Sequence, residues 1–273
     1  MGIKHYRIKP DKHVNLHDYK AGDTGDYKKE ADAAERTEHL IQKLDVLQER
    51  LYAEGRRSVL IVLQGIDTCG KDGTIRHVMR GINPQGCLVT SFKAPTPQEK
   101  AHDFLWRAHA ACPPRGYISI FNRSHYEDVL ITRVHGWITD KEAEHRLRQI
   151  HDFEKMLTKN GTRILKFFLH ISKDEQKKRL LERMDNPEKR WKFNADDLKE
   201  RGHWKAYQKA QAEAMAATST EESPWFVVPA NHKWYRNLVV ADRVVHALED
   251  MDPRPPKVQG IDWKKFRRKV LES

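Results

Sequence analysis

The sequence predicts a three-layer α/β domain on a five-stranded parallel sheet, and three observations carry that expectation. Five short apolar runs recur along the chain: SVLIVL (58–63), CLVTSF (87–92), YISIF (117–121), RILKFFLHI (163–171) and WFVVPA (225–230). Segments with helical periodicity separate them, and a glycine-rich loop joins the first run directly to a helix. Continuous apolar strands alternating with helices are the pattern of a parallel sheet covered on both faces.

Each element follows from local signals. Residues 1–30 are polar, with Gly22, Gly25 and several Asp and Lys, and are expected to form an extended N-terminal arm. Leu40, Leu44, Leu47 and Leu51 recur at helical spacing and predict a helix over 31–53, ended near Gly55. After the first strand and its loop, TIRHVMRGI continues as a helix up to Asn83-Pro84. PQEKAHDFLWRAHA (97–110) reads as a single helix, SHYEDVLITRV (124–134) as another, and 140–159 as a long amphipathic one stopped by Gly161. Ser172-x-x-Glu175 is a capping box that opens the next helix, which Asn186-Pro187 breaks. NADDLKERGHWKAYQKAQAEAMAA (194–217) reads as one helix, and a last helix covers 234–250. Pro253, Pro255 and Pro256 are expected to end regular structure. The domain is therefore expected over 31–252, with a basic tail at 253–273.

Composition narrows the class. No apolar run approaches the roughly 20 residues of a membrane span. The opening MGIKHYRIKPDKH lacks the apolar stretch of a secretory signal. Gly2 has Tyr6 where a myristoylation site needs Ser or Thr. Cys69, Cys87 and Cys112 form no CxxC pair, so neither a disulfide scaffold nor a zinc site is expected. A cytoplasmic protein without membrane partners is the reading. The net charge of +11 favours anionic partners. Much of the basic surplus lies in KKRLLERMDNPEKRWK (177–192), and a second basic run, WKKFRRK, lies at 263–269.

The loop QGIDTCGKDGT (64–74) carries the chemistry. Its frame Gly65-x-x-x-x-Gly70-Lys71 suits phosphate: Gly65, Gly70 and Gly73 let backbone N–H groups approach oxygens, and Lys71 adds a full charge. Two carboxylates intrude. Asp72 stands where such loops usually have Ser or Thr, and it serves equally as a dipole partner at a helix start. Asp67 lies mid-loop, where two negative charges at roughly 4 Å repel by about 4 kcal/mol at an effective dielectric near 20. A divalent cation bridging carboxylate and phosphate removes that repulsion, and Mg²⁺ suits this donor set. A loop-stabilising Asx turn is the structural alternative.

A second dense site ends the third strand. Ligands bind parallel α/β sheets beyond the carboxyl ends of strands, so Asn122, Arg123 and Ser124 should share a crevice with the loop. A helix from Ser124 would set Ser124 and Asp128 on one face, with Arg133 further along. Arg123 is a candidate phosphate ligand, Asp128 a candidate second metal or water ligand, and Glu127 a candidate nucleotide contact. Surface ion pairs on an amphipathic helix are the alternative for Glu127 and Arg123. Residues 177–202 read as a lid: Arg179 and Arg183 share a helix face, and Lys189, Arg190 and Lys192 surround Trp191.

GIDTCGKDGT, FNRSHYEDVLITRVH, ILKFFLHISKDEQKKRL and RMDNPEKRWKF together resemble the polyphosphate kinase family 2, over about 40–245. The resemblance implies a P-loop kinase-like fold with a helical lid, and magnesium-dependent phosphoryl transfer between inorganic polyphosphate and a nucleotide, with Mn²⁺ able to substitute. It implies Asp67 and Asp128 as metal ligands and Lys71 as a phosphate ligand. Arg123, Arg133, Arg179 and Arg183 would neutralise the moving group. Lys93, Lys189 and Lys192 would line the polyphosphate path, and Asn122, Glu127 and Asp128 would meet the nucleotide. Asn122 is neutral where many P-loop enzymes have Asp. HYEDV resembles the class acting on AMP and ADP, so AMP, ADP, ATP and guanine nucleotides are the expected nucleotide partners, in a homo-oligomer. An ATP-dependent nucleoside monophosphate kinase is the alternative within the same fold. A nucleic-acid-binding protein is the alternative of another class, although no nucleic-acid recognition motif is present.

Overall fold

The computed structural model describes residues 6–10 and 12–273. Five strands, β1 (Ser58–Gln64), β2 (Cys87–Ser91), β3 (Ile118–Asn122), β4 (Thr162–His170) and β5 (Trp225–Pro229), form one parallel sheet in the order β2-β3-β1-β4-β5. Side chains alternate across a strand, so each apolar run supplies two cores. Val59, Ile61 and Leu63 face one layer while Leu60 and Val62 face the other. The first layer holds α1 (Glu30–Glu54), α2 (Lys71–Val78) and α10 (Lys233–Met251). The second is built mainly from α5 (Glu127–Val134), α6 (Asp140–Lys159) and α9 (Trp204–Thr218).

The structure refines the expected elements in several places. The segment 97–110 is two short helices, α3 (Pro97–Lys100) and α4 (Trp106–Ala110), because Asp103 Oδ1 captures the Leu105 amide at 2.9 Å between them. The segment 194–217 is likewise divided at His203 into α8 (Asp196–Gly202) and α9. The tail is not wholly irregular: Asp262 caps α11 (Trp263–Glu272) by accepting from the Lys265 amide, and none of that helix is buried. The N-terminal arm packs onto the domain. Arg7 pairs antiparallel with Phe226, Ile8 N–H donates to Trp225 O at 2.9 Å, and Ile8, Val14 and Leu16 are buried. The arm thereby covers the β5 edge; its first five residues lie outside the described ones. The lid comprises α7 (Lys173–Asp185), a 3₁₀ turn (Pro187–Lys192) and α8. Among the described residues no helix is long and apolar enough to cross a membrane.

One polar knot interrupts the second core. Lys166, on β4 and fully buried, pairs with Glu154 of α6 and donates to Thr218 O at 2.7 Å. The Tyr126 hydroxyl donates to Glu154 Oε1 at 2.8 Å. Removing one partner strands the other charge out of water. Lys166→Met should therefore lose about 3–5 kcal/mol of unfolding free energy in denaturant melts. Lys166→Met with Glu154→Leu should recover most of it, and equal losses in both would refute the charge-pair account.

Candidate active site

The phosphate loop leaves β1 in a conformation that only its glycines permit. Gly65 has φ 147°, and a Cβ there would lie 2.8 Å from both Leu169 O and Cys69 Sγ. Gly70 caps α2 with φ 102°. Of the four non-glycine residues with left-handed backbone among the described residues, two border this site, Thr68 (φ 69°) and Arg123 (φ 62°), and such strain is often stored at functional sites. Lys71 is buried, with Nζ donating to Gly65 O at 2.8 Å. The loop is held from below by Arg179 of α7, whose five N–H donors are all engaged. Nε bonds Glu175 at 2.7 Å, Nη1 bonds the Thr68 and Cys69 carbonyls, and Nη2 bonds those of Ala230 and Asn231.

Two cavities open above the sheet on either side of one ion pair. Arg123 Nη2 lies 2.8 Å from Asp67 Oδ1. Both cavities are bordered by Asp67, Arg123, Asn194 and Asp197. The first, about 580 Å³, is cationic: Lys71, Lys93, Arg183 and Lys192 line it with the start of α2. There Asn122 Nδ2 donates to Asp72 Oδ1 at 2.7 Å, and Lys192 Nζ lies 3.7 Å from Asp72 Oδ2. Arg183 reaches Asp197 Oδ2 at 3.2 Å and Lys192 O at 3.0 Å, tying α7 to the rest of the lid.

The second cavity, about 370 Å³, is apolar and acidic, lined by Leu130, Ile131 and Phe168 beside Glu127, Glu200 and Tyr207. With its amide nitrogen toward Glu127 Oε1 at 2.9 Å, Gln64 accepts from Ser124 N at 3.2 Å. Burial pushes the Glu127 carboxyl above its ordinary pKa, against the pull of Arg123 and Lys71. Asp197 is raised by burial and by the nearby charge of Asp67. Burial opposes the Arg123 charge, but Asp67 and Glu127 outweigh it, so its pKa lies above the ordinary value.

Residues 27–256 match the family model described as Polyphosphate kinase 2 (PPK2). The chain belongs to that family. It is 50% identical over 263 residues to a Meiothermus ruber protein named AMP/ADP-polyphosphate phosphotransferase, covering 96% of this chain and 98% of the other. It is 48% identical over 229 residues to an ADP-polyphosphate phosphotransferase of Rhodopseudomonas palustris, covering 80% and 79%. The crystal structure of Polyphosphate Kinase 2 from Arthrobacter aurescens superposes with a TM-score of 0.94 at 44% identity, covering 98% of this chain and 95% of that one. The three-layer P-loop kinase-like fold expected from the sequence is the fold of this polyphosphate kinase.

Several residues expected in the kinase site stand elsewhere. Asp67 and Asp128 line different cavities. The helix begins at Glu127, and consecutive helical residues diverge by about 100°. Glu127 therefore faces the second cavity while Asp128 turns to Arg107, at 3.0 Å, and lines a different cavity. Ser124 precedes that helix, is buried and bonds Gln64 and the Tyr126 amide, so it does not share a helical face with Asp128. Arg133 is held by Asp140 at 2.7 Å and by Glu213, and lines neither chamber. Lys189 is exposed and lines neither. Among the described residues no group of three or more His, Cys, Asp or Glu is gathered for a metal ion.

Asp197 and Arg107 were not singled out in the sequence, although Asp197 borders both chambers and Arg107 fixes Asp128 and donates to Lys93 O at 2.8 Å. A carboxylate in the first turn of a helix and an arginine in a short amphipathic one are too common to mark them.

The arginines of α7 should separate by experiment. Arg179→Ala, which orphans loop carbonyls, should destabilise the fold by about 3 kcal/mol and lower activity in parallel, read from melts and rates. Arg183→Ala should keep its melting temperature and lose turnover more than nucleotide affinity. Equal behaviour of the two would contradict the assignment.

Proposed function

We propose that this polyphosphate kinase phosphorylates AMP to ADP and ADP to ATP from inorganic polyphosphate. The meeting of a cationic and an apolar-acidic chamber at the Arg123–Asp67 pair carries the reading. The first chamber suits a phosphate chain: Lys71, Lys93, Arg183 and Lys192 oppose its charge, and the α2 start offers N–H donors. The second suits a nucleoside, whose purine would lie against Leu130, Ile131 and Phe168 while hydroxyl and amino groups donate to Glu127 or Glu200. The two phosphate groups then meet beside Arg123. The name of the Meiothermus ruber relative, AMP/ADP-polyphosphate phosphotransferase, supports both acceptors.

In such a transfer the protein does little covalent work, and positioning and neutralisation dominate. The attacking phosphate oxygen is already ionised, so no general base is needed. Arg123 and Lys71 orient the reacting phosphates, and Arg183, planar and bidentate, closes over the group in transit with the lid.

The residues present fit magnesium. Asp67 and Asp197 supply hard oxygen donors, and neither thiol nor imidazole lines the first cavity beside them. Magnesium binds through one or two carboxylates and completes its shell with phosphate oxygens and water, so a three-ligand protein cluster is not required. When bound, it would neutralise phosphate oxygens on both sides of the breaking bond; Mn²⁺ would fill the same role. GMP and GDP are proposed as further acceptors, because the chamber's carboxylates and amides can meet either purine edge. A homo-oligomer is proposed from the open β2 edge, where Leu88 and Val89 are exposed.

The deciding assay combines AMP, magnesium and polyphosphate: ADP and then ATP should form, and ATP should be the poorer donor. No turnover with polyphosphate would overturn the proposal. Asp67→Asn should lower magnesium-dependent turnover by roughly 100-fold or more with an unchanged melting temperature. Near-normal rates would remove Asp67 from the metal.

A further inference from the structure

Arg236 lies in the first turn of α10 and is 3% exposed, pressed against the inner side of the phosphate loop. Its Nη1 donates to Cys69 O at 3.2 Å, the carbonyl that Arg179 also holds at 3.1 Å. Its Nε and Nη2 bond only the Asn237 amide oxygen, at 3.1 and 2.8 Å. Among the described residues no carboxylate lies within ion-pair distance of it. The guanidinium occupies the space a side chain at position 70 would need, since a Cβ on Gly70 would fall 1.9 Å from Nη1.

Three effects oppose a positive charge at this point. It is removed from water. It sits at the positive end of the α10 dipole. It adjoins the Arg179 guanidinium, and burial together with that neighbour lowers the Arg236 pKa to about 10. A purely structural residue would be better served by an apolar side chain of the same length. No carboxylate of the described residues supplies the missing negative charge, and the surface on the other side of the loop is the phosphate chamber.

We propose that Arg236 is a positioning residue for phosphoryl transfer, an uncompensated cation behind the loop whose charge is balanced when phosphate occupies the front. It acts through the loop and its field and does not touch the substrate. The proposal rests on the polyphosphate kinase reading only for the identity of the phosphate ligand.

The test compares Arg236→Met, Arg236→Lys and the wild-type chain in thermal melts, with and without inorganic tripolyphosphate or polyphosphate, and in steady-state kinetics. Without ligand, Arg236→Met should melt at or above the wild-type temperature, because it removes a buried unpaired charge. Its stabilisation by phosphate chains should shrink, and its KM for polyphosphate should rise by roughly tenfold, the effect of one charge acting across a loop at an effective dielectric near 20. Arg236→Lys should keep most of the phosphate response. A methionine variant that melts well below wild type yet keeps the full phosphate-induced shift would overturn the proposal, as would a lysine variant no better than methionine. Wild-type stabilisation and turnover with polyphosphate test the functional reading separately, so the two failures are distinguishable.

Discussion

Repulsion between phosphate groups is the constraint around which this molecule is arranged. Any transfer between two phosphate-bearing partners must first bring like charges together, at a cost of several kcal/mol in a partly dry crevice. The Arg123–Asp67 pair stands where the two chambers meet. In the proposed reaction its halves separate in role, the guanidinium to phosphate and the carboxylate to a cation. The left-handed backbone of Arg123 sets that side chain at the exit of β3, directly across from the loop leaving β1.

Chemically identical side chains acquire different work through burial. Arg183 lies on the face of the lid that lines the cationic chamber and keeps only two modest contacts. Arg179, one turn earlier on the same helix, is wholly spent on loop carbonyls and Glu175. It cannot release those bonds for a passing phosphoryl group without orphaning buried acceptors. The helix thus carries one rigid and one available guanidinium, a sensible division for a segment joining a fixed loop to a lid.

The acidic second chamber accounts for carboxylates standing at the border of a phosphate site. Asp67 and Asp197 border both cavities, while Glu127 and Glu200 line the second. Carboxylates can accept from ribose and base donors, but near phosphate they require cations. In the proposed reaction a hard divalent ion at the border and the cationic wall beyond it would meet both needs.

Strand runs, the glycine frame and helix caps are written within a dozen residues, so they are legible in the chain. The alternation of Val59, Ile61 and Leu63 with Leu60 and Val62, and the stop at Asn186-Pro187, reflect local backbone geometry alone. The same holds for Asp67 and Lys71, whose place in the loop follows from spacing to Gly65 and Gly70. The fate of Asp128, Arg133 and Arg179 was different. Each depended on a partner far away in sequence: Arg107, Glu213 and the Ala230 carbonyl. Charge type is local, but which counter-charge meets it is settled by how helices dock on the sheet, and docking follows the summed burial of both cores.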